Sequence, residues 1–153
     1  QVERDGRGDM LVTPEIWQHY QVRDFFYDDV LDFLRAKPRA DLLILTAMTP
    51  SLGPHACDFQ RAKLRHAQLE PLVSDIILMV GDKGPYLEAM YDGTPMCFVD
   101  DSILHHDSIQ RREPGVLSFL MARPGTTHVT PSPNAAIHLV HDLQGVDDVL
   151  MKV

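Results

Sequence analysis

The chain has 153 residues, 44% of them apolar, and sets 14 Lys and Arg against 22 Asp and Glu for a net charge of -8. That length and apolar share suffice for one domain with one core, and the acidic balance opposes general binding to nucleic acid or to an anionic membrane. No apolar run approaches the roughly 20 residues that span a bilayer, and no basic-then-apolar leader opens the chain, so a cytoplasmic protein with no membrane partner is expected.

Thr13-Pro14-Glu15 reads as a helix start, with Thr13 as N-cap and Pro14 where a missing N–H costs nothing. Apolar residues at Phe25, Phe26, Val30, Leu31, Phe33 and Leu34 continue that helix to about Ala36-Lys37-Pro38. Asp41 to Thr46 is the first buried strand, and Thr49 to Pro54 is a loop of turn formers. A helix with a basic outer face runs from about His55 to Leu69; Asp58, Arg61 and Arg65 share one face, read as solvated.

Ile76 to Val80 and Met96 to Val99 are two continuous apolar runs, separated by a short helix over Pro85 to Tyr91. A helix over Ser102 to Arg111, a strand over Gly115 to Met121, a loop over Arg123 to Pro133, a strand over Ala136 to Val140 and a helix from about Val146 to Lys152 follow. The alternation of strands and helices predicts an α/β fold, a three-layer α/β/α sandwich around a mainly parallel sheet. Cys57 and Cys97 lack CxxC spacing, and Cys97 lies in an apolar strand, so reduced thiols are expected rather than zinc or a disulfide.

Strands of this kind bind ligands at their carboxyl ends, where Gly81-Asp82-Lys83 and Asp100-Asp101-Ser102 follow the two apolar runs. Lys83, Asp100 and Asp101 then share one rim, and a lysine with two carboxylates suits a divalent metal and a phosphate. Taken singly, each residue has a plainer reading. Lys83 is a turn lysine, Thr46 a strand end, Asp101 or Ser102 a helix cap, and His105-His106-Asp107 a solvated helix end.

In order along the chain, these residues resemble the haloacid dehalogenase-like (HAD-like) superfamily of phosphotransferases, whose Rossmann-like fold carries four short motifs on strand ends. Leu42 to Thr46 matches the second motif, Lys83 the third, and Phe98-Val99-Asp100-Asp101 the fourth, while Ala136 to Val153 is similar to the closing strand and helix. The resemblance covers roughly residues 13 to 153 and rests on order and spacing. The first motif departs from the pattern Asp-x-Asp-Gly-Thr: its best match is Glu3-Arg4-Asp5-Gly6-Arg7, with Asp9 as an alternative metal-reaching residue. A carboxylate one methylene longer displaces the attacking oxygen by about 1 Å, enough to cost about 100-fold in rate. Two accounts stand, a decayed first motif or a chain that begins inside it.

The resemblance implies magnesium-dependent hydrolysis of a phosphate monoester through an acyl-phosphate. Glu3 would then attack, Asp5 would act as acid and base, Thr46 and Lys83 would bind phosphate, and Asp100 and Asp101 would join Glu3 and Asp5 around Mg²⁺. The spacings leave no room for a separate cap domain, so a single HAD-like domain with an open site is expected. Such a site suits a macromolecular phosphorylated substrate, or a small one enclosed by oligomerisation or by Met48 to His55 as a lid. The rival reading is a catalytically inactive HAD-like pseudoenzyme that serves as a binding or assembly module.

Overall fold

A computed structural model describes residues 27–48, 56–125, 129 and 132–152. The chain forms a mixed α/β fold with parallel strands, divided into two compact units, Gln1–Gly81 and Asp82–Val153. Among the described residues no helix is long and apolar enough to cross a membrane.

In the first unit, helix α1 (Asp28–Ala36) carries Asp28 and Asp29 in its first turn and Arg35 in its last, the charge order that complements the helix dipole. Pro38 forces Lys37 into extended backbone and ends it. A single 3-10 turn over Arg39–Asp41 follows, so strand β1 spans Leu43–Met48 and begins later than the apolar run alone predicts. Helix α2 (Ala56–His66) leads to strand β2 (Asp75–Val80). The two strands pair in parallel from Leu43 opposite Asp75 to Met48 opposite Val80. Their entry points are tied together, because Ser74 donates from both N–H and hydroxyl to the Leu42 carbonyl and Arg39 Nε donates to the Val73 carbonyl. Leu31, Leu34, Ile44, Leu64 and Ile76 pack around buried Ala67 and Leu69.

The second unit runs through α3 (Gly84–Met90), β3 (Cys97–Asp100), α4 (Ile103–Arg112), β4 (Leu117–Met121), β5 (Ile137–Val140) and α5 (Leu143–Leu150). The sheet order is β3-β4-β5, all parallel, which places the carboxyl ends of the three strands on one side. Phe119 and Leu120 on the central strand are fully buried, as are Ile109 and Val146 on the helices and Val116 just before the strand. Ser118 is buried there as well, and Gln110 satisfies it by donating from Nε2 to its hydroxyl and to the Val116 carbonyl. Helices α3 and α4 approach so closely that a Cβ on Gly84 would collide with the Ser108 side chain, so only glycine fits. Cys97 opens β3 and is exposed, against the expectation of burial, because it stands at the strand's entry rather than in its interior.

Candidate functional site

The carboxyl end of β3 is a network of polar side chains set on an apolar base. Phe98 is buried, and two residues on, Asp100 turns its carboxylate toward Lys83, the residue that caps the start of α3. Lys83 Nζ donates to Asp100 Oδ2 at 2.5 Å, and both side chains are 9% exposed. The ammonium also stands 5.7 Å from the centre of the Phe98 ring. Asp100 Oδ1 accepts from the Ser102 N–H at 2.8 Å, closing a turn that ends β3 and starts α4. The plain reading of Lys83 as a turn lysine therefore fails: a partner and an aromatic face compensate its burial. The helix-cap reading changes too, since the Ser102 side chain makes no cap hydrogen bond and Asp100 organises the turn.

A second layer lies behind this pair. Asp82 Oδ1 accepts from the Gly84 N–H at 3.0 Å in the first turn of α3, and Oδ2 accepts from the Ser108 hydroxyl. His105 Nδ1 is 3.5 Å from Asp82 Oδ1 and 3.4 Å from the Lys83 backbone nitrogen; one ring nitrogen cannot donate to the first while accepting from the second. Burial pushes the Asp82 carboxyl up, but the hydrogen bonds from Ser108, Gly84 and His105 outweigh it and hold the group below its ordinary value.

His106 is fully buried, which overturns its reading as part of a solvated helix end. Its Nε2 lies 3.1 Å from the Asp100 carbonyl oxygen. A carbonyl only accepts, so Nε2 carries the proton and Nδ1 is a bare lone pair, which has no hydrogen-bond partner among the described residues. Desolvation by burial lowers the imidazole's pKa, overriding the opposing pull of the Asp100 carbonyl and carboxylate. The ring meets Phe98 edge-on at 5.0 Å.

The sequence candidates are thus distributed unevenly. Lys83 and Asp100 are in contact, and Asp101, next along the chain, is exposed. Thr46 belongs to the first unit, where it pairs with Leu78 inside β1 and not at its end, because the strand continues to Met48. Glu3 and Asp5, with Arg7 and Asp9, lie outside the described residues, as does most of the Met48 to His55 segment. Among the described residues no group of three or more His, Cys, Asp or Glu side chains is arranged to hold a metal ion. Each Asp100 oxygen accepts one hydrogen bond, from Lys83 and from the Ser102 N–H, which leaves a second lone pair on each.

Sequence reasoning missed His106 and the bond between Asp82 and Ser108. The first left a signal, for His106 falls three residues before buried Ile109, on the inward stripe of α4. The second joins residues 26 positions apart and leaves no local pattern. No family model matches this chain, and neither a curated protein nor a solved structure matches it.

Proposed function

We propose that the chain is a HAD-like domain of the phosphohydrolase type, a three-layer α/β/α sandwich whose open site takes a phosphate monoester, with a macromolecular substrate favoured. The observation that carries this reading is the buried Lys83 ammonium, held by Asp100 at the carboxyl end of a parallel sheet. A fixed positive charge in that position is suited to meeting a phosphate oxygen.

Lys83 would bind and orient the phosphate, with Thr46 as a second donor, and Asp100 would keep the lysine in place. Glu3 would be the nucleophile and Asp5 the acid and base. Mg²⁺ would be held by Asp100, Asp101, Glu3 and Asp5, and when bound it would screen the repulsion between phosphate and nucleophile.

The second reading, an inactive binding module, is favoured by one observation: Lys83 and Asp100 already neutralise one another. Hydrolysis of an aryl phosphate with and without Mg²⁺ separates the two. Metal-dependent turnover that disappears in Asp101→Asn supports the phosphohydrolase. No turnover, with inorganic phosphate still bound, leaves the binding module.

A further inference from the structure

Asp100 is gripped at three points. Its two carboxylate oxygens meet Lys83 and the Ser102 N–H, and its backbone carbonyl meets His106. The Ser102 contact is local to the chain. His106 arrives from the end of the first turn of α4 and ties the last residue of β3 to that helix.

We propose that His106 is a positioning residue of this rim: its Nε2–H, donated to the Asp100 carbonyl, fixes the end of β3 so that the Asp100 carboxylate holds the Lys83 ammonium where a phosphate oxygen would meet it. The proposal rests on the phosphate-binding reading of Lys83. The orphaned Nδ1 argues for a donor role over a packing role. Phe or Leu would fill the same apolar space beside Phe98 and Ile109 without a desolvated nitrogen, so what the imidazole adds is one hydrogen bond. The Nε2–H tautomer leaves the imidazole neutral, and it therefore orders Asp100 without competing with Lys83 for the carboxylate's charge.

The test compares the chain with His106→Gln, whose side-chain amide can donate from a similar position, and with His106→Phe, which keeps volume and aromaticity but not the donor. The readout is the acetylation rate of each lysine under trace labelling by acetic anhydride, with exposed Lys63 and Lys152 as internal standards. In the unaltered protein Lys83 reacts far more slowly than the standards. Loss of the donor orphans the carbonyl, and Lys83 in His106→Phe then labels about tenfold faster, while His106→Gln stays protected. Equal protection in both variants, or equal loss, overturns the proposal and leaves His106 a packing residue. Should His106→Phe fail to fold, long-range ¹H–¹⁵N spectra of the unaltered protein decide with His106→Gln. A proton on Nδ1, or exposure of Lys83 in His106→Gln, refutes the role; a proton on Nε2 with Lys83 protected upholds it. Acetylation needs no turnover, so a protein that hydrolyses nothing yet shows this pattern discards the phosphohydrolase and keeps the positioning.

Discussion

The two units end their strands in opposite ways. In the first, β1 is half-buried throughout and β2 finishes on Val80, a valine 59% exposed. In the second, β3 finishes on a carboxylate locked to an ammonium, with a buried imidazole behind it. The contrast follows from what supports each end. Consecutive Phe119 and Leu120 of β4 are both fully buried, so both faces of the central strand are covered, and Ile109 and Val146 on the helices are fully buried too; helices α3 and α4 supply N–H groups and side chains that fix the polar atoms of the rim. A buried charge pair is tolerable only where every partner is held, and only the second unit shows that arrangement among its described residues.

The comparison breaks most sharply at Lys83. Lys83→Met strands the Asp100 carboxylate and is expected to destabilise the second unit by about 3–5 kcal/mol, whereas Lys83→Met/Asp100→Leu, which removes both charges, regains most of that loss. Hydrogen exchange read separately for β1–β2 and β3–β5 measures both, and equal losses in the two units would contradict the contrast. Gly84→Ala forces α3 away from Ser108 and should cost about 1–3 kcal/mol, visible as a lower denaturation midpoint. Asp142→Ala removes the carboxylate that accepts from the Gly145 N–H and should cost about 1 kcal/mol, confined to exchange within α5. Asp101→Asn, at an exposed position, should change stability by no more than about 0.5 kcal/mol while still testing catalysis.

Acid sharpens the contrast further. The folded state keeps His106 neutral, while the unfolded chain takes up a proton near the ordinary imidazole value of 6.5. The unfolded state therefore binds more protons, so this contribution is present above that value and lost as pH falls below it. Asp82 behaves alike at lower pH. Its folded pKa lies beneath the ordinary 3.8, and its contribution disappears as pH falls through that range. Denaturation midpoints across pH should show both steps, with the upper one missing in His106→Gln and the lower one missing in Asp82→Asn.

Much of the architecture was legible because apolar runs and turn formers carry it. Helices α2 to α5 and strands β1 to β5 were anticipated with ends displaced by a few residues, whereas α1 starts at Asp28 after extended Tyr27 and is not the continuation of a helix begun at Thr13, which lies outside the described residues. The displacement of β1 has a cause, the 3-10 turn that Pro38 introduces, and it moves Thr46 from the strand's end to its interior. At the rim, the shared position of Lys83 and Asp100 was legible from their places after the two apolar runs, but the direct bond between them depends on where α3 begins relative to β3, which residue types alone do not encode. Burial of His106 was encoded, by its spacing from Ile109, but a pair of adjacent histidines before an aspartate resembles a solvated helix end.

The parallel order of β3, β4 and β5 also bears on how the second unit comes together in time. Cys97 meets Leu117, and Ser118 meets Ile137, each across about twenty residues of chain, so no hairpin is available to start the sheet. The shorter-range link runs from α4 to β4, where Gln110 donates to Val116 and Ser118 only six and eight residues along the chain, a contact that needs little loop closure. Gln110→Ala should therefore retard refolding as well as lower stability, whereas an unchanged refolding rate would place this link after the rate-limiting step.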